Sequence, residues 1–309
     1  MEAASDRWIT LRDGRRLGFA EYGDPQGRPL LYFHGFPASR LEAALTDAAA
    51  ARLGLRVITI DRPGIGLSDF LAGRTIADWP QDVVELADAL RLQRFAILGV
   101  SGGGPYALAC AAEIPSRLSA VGIVGGLGPV AAAESTVGMA ALNRFFLCLF
   151  RHAPWLGRPL FALVAKGIRR WPERFFAFFT ATVPVADRKA LDRPDIRRLF
   201  HASMREGFRQ GARGAARELL LYSRPWNFAP AQIPAEVHLW HGELDVTVPA
   251  AMGRRLAATL PHCRSRFLPG EGHFSLPLIH MEEILSTLTK SDQPVGTGPR
   301  PNSPTYRHD

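Results

Sequence analysis

The chain is poor in cysteine, with only Cys110, Cys148 and Cys263 among 309 residues, and these are far apart and odd in number. That scarcity fits neither a disulfide framework nor a zinc knuckle, so the three are read as buried or incidental thiols and no metal is expected. No stretch reaches the ~18 uncharged apolar residues that a spanning helix requires. The opening "MEAASDRWITLRDG" has an acid in second place and no apolar core, which argues against a secretory signal. A cytoplasmic protein is expected. No internal repeat is present.

What remains is the composition of an ordinary globular chain: 47% hydrophobic and 21% charged residues, with a mean hydropathy of −0.01. The formal charge of +8 is unevenly placed. Between Gly128 and Gln232 there are 17 Lys+Arg against 7 Asp+Glu, a local +10, so the rest of the chain stands at −2. This asymmetry marks a distinct segment before it marks a partner.

"WITLRDGRRLGFAEYG" reads as a hairpin about Asp13-Gly14. Buried-strand runs follow at "LLYFHG", "RVITIDRPG", "RFAILGVSG" and "LSAVGIVGG". Helical patterns separate them over 39–53, 76–92 and 104–113. Such alternation predicts a mostly parallel sheet flanked by helices. From 135 to 224 the chain is rich in Phe, Trp, Leu, Ala and Arg, without a convincing strand, and reads as several helices punctuated by prolines. The earlier style then resumes with "EVHLWHG", a helix over 249–260, "SRFLPG" and a helix over 277–289. The expected organisation is a core of residues 1–127 and 233–290, a helical insertion over 128–232, and a Pro/Gly/Ser-rich tail over 291–309 expected to be disordered.

Chemistry concentrates in "ILGVSGGGPYAL", residues 97–108. Gly102, Gly104 and Ala107 have the spacing of a dinucleotide-binding turn. That reading needs an acid about 20 residues on to hold a ribose hydroxyl, and the stretch from Ile114 to Ala133 has none. Pro105 also removes an N–H where a pyrophosphate would bind. A phosphate loop fails because no Lys-Ser or Lys-Thr follows the glycines. No cofactor is expected.

Gly99, Ser101 and Gly103 instead spell the G-x-S-x-G of a nucleophile elbow, in which the serine sits on a tight strand-to-helix turn. Serine is a weak nucleophile unless a base takes its proton and a carboxylate orients the base. Downstream, "WHGELDVTVP" puts Asp245 just after a buried strand, and "FLPGEGHFSLP" puts His273 after the last strand in a Gly-flanked loop. The order Ser, acid, His is the one this kind of turn demands. An oxyanion would also need N–H donors, for which Gly102 and Phe36, in "FHGFP", are the candidates.

Together "HGFP" at 34–37, "DRPGIGLSD" at 61–69, "GVSGG" at 99–103, "HGELDVTVP" at 241–249 and "GEGHF" at 270–274 resemble the α/β-hydrolase superfamily over about 7–290. The resemblance implies that fold with an inserted helical cap, Ser101 as nucleophile, His273 as base and Asp245 as orienting acid. Glu243 is the competing carboxylate, since the family accepts either acid. His34, His241 and Asp61 are read as structural.

The expected activity is that of a serine esterase on a small or medium ester. Serine in the nucleophile position argues against dehalogenases and epoxide hydrolases, and "HGFPASR" departs from the "HGGPG" of proline iminopeptidases. C–C bond hydrolases, lactonases and cofactor-free haloperoxidases share the triad, and a receptor that keeps the fold with little turnover is a further alternative. No nucleic-acid motif is present. In the basic insertion, "RRWPERFFAFFTATVP" is read as aromatic helix core with a solvated arginine face, weak membrane-surface contact being the alternative.

Overall fold

The computed structural model describes residues 6–130 and 136–290; the tail proposed over 291–309 lies outside them. Eight strands form one sheet: β1 (Arg7–Thr10), β2 (Arg16–Gly23), β3 (Arg28–Phe33), β4 (Leu55–Ile60), β5 (Phe95–Val100), β6 (Leu118–Val124), β7 (Val237–Gly242) and β8 (Cys263–Leu268). Their order is β1-β2-β4-β3-β5-β6-β7-β8. The first hairpin runs antiparallel, β2 joins β4 antiparallel, and every later pairing is parallel. Strands β5 and β7 are buried at every residue, as expected for strands covered on both faces.

The helices of the core are α1 (Asp47–Arg52), α2 (Trp79–Ala89), α3 (Gly104–Glu113), α10 (Ala250–Thr259) and α11 (Ser275–Lys290). The helix expected over 39–53 is a 3-10 helix at Arg40–Thr46 before α1 begins. Its first turns are pinned from outside: Asp61 accepts the Arg40 N–H at 2.7 Å, and the Glu42 side chain is tied to Tyr32 and Gly35. The helix expected over 76–92 is shorter at both ends. Asp78 holds the Thr75 N–H in a turn, and Arg91 adopts a left-handed φ of 58°.

Between β6 and β7 the described residues hold six α-helices and no strand: α4 (Ala141–His152), α5 (Pro154–Arg170), α6 (Pro172–Ala181), α7 (Val185–Leu191), α8 (Pro194–Gly207) and α9 (Arg213–Tyr222). Three of them open on proline, whose fixed φ suits a first turn and whose missing N–H is no loss there. Their aromatic residues divide between two roles. Phe146, Phe150, Phe161 and Phe208 pack edge-on or tilted around one another, whereas Trp155, Trp171 and Phe178 are exposed. No helix among the described residues is long and apolar enough to cross a membrane.

The topology places the site. Chain order reverses between β3 and β5, and the crevice beyond the carboxyl ends of such strands is where open α/β sheets bind ligands. The loops after β3, β5, β7 and β8 carry "HGFP", Ser101, Asp245 and His273 to that end.

Candidate active site

The buried strand β5 runs extended to Val100, and Ser101 then takes a φ of +52° before α3 begins at Gly104. A left-handed serine is strained and persists only where its surroundings over-determine it. Here the close approach requires glycines on both sides. A Cβ on Gly99 would stand 2.7 Å from the Gly103 carbonyl oxygen, and one on Gly103 would stand 2.1 Å from that of Phe33. The G-x-S-x-G spacing is thus steric in origin.

Ser101, His273 and Asp245 meet in hydrogen-bonded series. His273 Nε2 lies 2.9 Å from Ser101 Oγ, and Nδ1 lies 2.7 Å from Asp245 Oδ2. Asp245, ionised, can only accept, so Nδ1 carries the proton and Nε2 is left to accept from the serine hydroxyl. The other oxygen, Asp245 Oδ1, receives the N–H groups of Thr247 and Val248 at 2.8 Å each, which fixes the plane of the carboxylate. Burial pushes the His273 pKa down, but the charge and hydrogen bond of Asp245, with Asp187 and Glu42 adding, carry it above its ordinary value.

Glu243 does not share this position: it turns outward and pairs with Arg254. His241 donates from Nε2 to the Val248 carbonyl at 2.8 Å and lies behind Asp245, with burial lowering its pKa. His34 bonds the Gly35 carbonyl from Nδ1 at 2.8 Å, and burial holds it well below its ordinary value. Asp61 anchors its own loop and Arg40, accepting from the Leu67 N–H at 2.9 Å and the Arg40 guanidinium at 2.7 Å.

The loop after β3 is oriented by a buried network the sequence did not announce. Arg62 donates to the carbonyls of His34 at 2.6 Å and Gly35 at 2.9 Å. Its Nε donates to Glu218 on α9 at 2.7 Å. Glu218 also accepts from Arg74, from the Tyr106 hydroxyl at 2.7 Å and from the Tyr222 hydroxyl at 2.6 Å. Burial alone would raise its pKa, but Arg62 and Arg74 hold it down at about 2. The Tyr222 hydroxyl oxygen also lies 2.9 Å from the Gly102 carbonyl, so its one proton can be given to either acceptor. Phe36 and Gly102 adjoin, since a Cβ on Gly102 would lie 2.9 Å from that of Phe36. Their N–H groups make no turn or loop hydrogen bond among the described residues.

Three acids of the site escaped sequence reasoning. Glu218 is one. Asp187, on α7, is fully buried and receives the N–H groups of His273, Phe274 and Ser275 at 2.9, 2.9 and 2.8 Å. Glu42 faces the cavity beside Ser101. The usable signal was scarcity: only seven acids occur between Gly128 and Gln232, and among the described ones Asp187 and Glu218 are buried.

Two apolar chambers meet at Ser101. The larger, about 190 Å³, is lined by Glu42, His273, Phe175, Phe179 and Phe200 among others. The smaller, about 140 Å³, lies over Gly102 and is walled by Phe146, Leu147, Phe161, Val164 and Leu219. Phe36, Leu142, Asn143 and Thr247 border both. Residues between β6 and β7 supply most of the smaller chamber's wall but fewer than half of the larger one's, while the core supplies Ser101, His273 and Glu42.

Residues 30–287 match the model of the Alpha/beta hydrolase family. Among curated proteins, a non-heme chloroperoxidase of Streptomyces lividans is 31% identical over 130 residues, covering 41% of this chain and 47% of that protein. A 3-oxoadipate enol-lactonase of Acinetobacter baylyi is 30% identical over 100 residues, covering 32% of this chain and 37% of that protein. The chain spans about half the length of the first of these relatives and less of the second. Among solved structures, a hydrolase from Pseudomonas aeruginosa PA01 superposes with a TM-score of 0.69 at 20% identity, covering 93% of this chain and 99% of that one, a likeness of fold.

Proposed function

The chain belongs to the alpha/beta hydrolase family, and from that premise we propose that it is a serine esterase, cleaving a small or medium carboxylic ester through an acyl-enzyme. The observation that carries this reading is the unbroken series Ser101 Oγ, His273, Asp245 at the floor of an apolar cavity.

In the proposed reaction Ser101 Oγ attacks the ester carbonyl carbon while its proton passes to His273 Nε2. The carbonyl oxygen becomes an oxyanion between the N–H groups of Phe36 and Gly102. As the tetrahedral centre collapses, the bond to the alcohol oxygen breaks and His273 returns the proton to it. Water then gives its proton to His273 and attacks the acyl carbon, releasing the acid and Ser101. Asp245 holds the imidazole in orientation and offsets its charge.

The two chambers divide the substrate. The leaving oxygen must meet His273 Nε2, and His273 lines the larger chamber only. The alcohol therefore occupies the larger chamber and the acyl group the smaller, apolar one. A second reading is lactone hydrolysis, which the enol-lactonase among the relatives favours and which uses the same acylation step. The separation of the chambers favours an open-chain ester, whose two arms diverge from the reacting carbon.

A fluorophosphonate read by intact mass and peptide mapping tests the reading. Stoichiometric labelling at Ser101, lost in Ser101→Ala and strongly slowed in His273→Ala, together with multiple turnover on an open-chain ester, is the expected result. A folded wild-type protein that neither labels nor turns over esters would overturn it in favour of a ligand-binding role.

A further inference from the structure

The larger chamber contains one carboxylate that stands outside the hydrogen-bonded series of Ser101, His273 and Asp245. Glu42 Oε1 accepts from the Tyr32 hydroxyl and from the Gly35 N–H, each at 2.9 Å. Both donors are neutral. Oε2 takes no hydrogen bond from any described residue, and Glu42 lines the cavity. A methyl placed on Gly35 would lie 3.2 Å from this oxygen and 3.4 Å from Ser101 Cβ, so carboxylate and nucleophile stand on either side of one glycine.

Arg62 does not neutralise this carboxylate by contact, being committed to Glu218 and to the His34 and Gly35 carbonyls. The rest of the wall is mainly apolar, with Phe175, Phe179, Phe200 and Phe274 set among aliphatic side chains such as Leu191, Ile196 and Met204. Burial accordingly raises the Glu42 pKa above its ordinary value. A carboxylate held among apolar groups without a cation is costly, and a ligand that supplies the cation recovers that cost. Aromatic faces beside it add attraction for the same charge.

We infer that Glu42 selects esters whose alcohol carries an ammonium group, seating that group in the larger chamber between the Glu42 carboxylate and the phenylalanine rings. The inference rests on the esterase reading above and on its placing of the alcohol beside His273. An amine two carbons beyond the ester oxygen is the shortest convenient probe of this arrangement.

The test compares two butyrate esters of equal size, 2-(dimethylamino)ethyl and 3-methylbutyl, at neutral pH. Wild-type protein is expected to favour the protonated amino ester in kcat/KM by about tenfold or more, the scale of one hydrogen bond to a charged group. Glu42→Gln keeps an oxygen for Tyr32 and Gly35 but removes the charge, and the preference should fall to near unity. If Glu42 only positions the oxyanion loop, both esters change together, the ratio stays put, and the inference fails. A wild-type ratio near unity also overturns it.

Fluorophosphonate labelling of the same samples separates the two levels. Labelling with a ratio near unity removes the role of Glu42 alone, whereas absence of labelling and of turnover removes the esterase reading and this inference with it. Inhibition of the wild-type protein needs no variant to fold. 2-(Dimethylamino)ethanol should inhibit hydrolysis of the neutral ester at about tenfold lower concentration than 3-methylbutanol, and equal inhibition by the two alcohols counts against the inference.

Discussion

Asp187 Oδ2, from a position 86 residues earlier in the chain, receives the backbone N–H of His273 at 2.9 Å. Its other oxygen receives the next two N–H groups, so one carboxylate on α7 holds the whole loop that delivers the imidazole. The helices between β6 and β7 are therefore not merely a lid over the cavity. One of them fixes the loop of the proposed base.

Asp187→Ala leaves three N–H groups, two of them buried and one half-buried, without an acceptor and should cost roughly 3 kcal/mol of stability. A buried loop that loses its anchor also mispositions the imidazole, so the rate of fluorophosphonate labelling at Ser101 should fall together with Tm. Asp187→Asn keeps one acceptor oxygen and should lie between the two. Calorimetry alongside labelling rates checks this; an alanine variant with unchanged Tm and labelling would show the contact to be incidental.

The pH profile should report the raised pKa of His273. The neutral imidazole is the working base, so kcat/KM should fall on the acid side with an apparent value above the ordinary 6.5. Asp245→Asn removes the partner of the imidazolium, which moves this limb to lower pH while kcat drops by about 10³–10⁴. The sign for stability follows from the same shift. A folded-state pKa above the unfolded one gives a contribution that is complete below the ordinary value and lost as pH rises through the raised one.

Glu218→Gln leaves the guanidinium groups of Arg62 and Arg74 buried without their anion. A loss of about 3–5 kcal/mol at neutral pH is expected, measurable by denaturant unfolding. For the wild-type protein the Glu218 pKa of about 2, against an ordinary 4.5, means that this contribution is present above 4.5 and lost as pH falls through about 2. Because Arg62 also holds the His34 and Gly35 carbonyls, ester turnover should suffer beyond any effect of lowered stability at the assay temperature.

Gly103→Ala would put a methyl 2.1 Å from the Phe33 carbonyl oxygen, which belongs to the neighbouring strand. Backbone on both sides leaves little room to yield, so the elbow must distort. Circular dichroism and labelling should show loss of the Ser101 reaction even in protein that keeps its helices. Normal labelling would mean that the turn tolerates more than its spacing suggests.

How much of this was legible in the chain depends on the range of the interactions involved. The elbow at Gly99, Ser101 and Gly103, the strand ends bearing Asp245 and His273, and the helical character of the segment after β6 are all written in local pattern. Apolar runs demand burial on both sheet faces, and a tight turn excludes side chains two residues to either side. Both constraints act between near neighbours, and the sequence by itself determined them.

The choice between Glu243 and Asp245 had no such local answer, because two carboxylates two residues apart differ only in where they point. Tertiary structure decided it, giving Asp245 to His273 and Glu243 to Arg254. Asp187, Glu218 and Glu42 were hidden for the same reason. The partners of Asp187 lie 86 to 88 positions away and those of Glu218, Tyr222 apart, 112 to 156, and Glu42 acquires its place beside Ser101 only when the loops after β3 and β5 meet at the sheet's reversal point. Local sterics could be read along the chain, whereas a buried charge is defined by what folding brings against it.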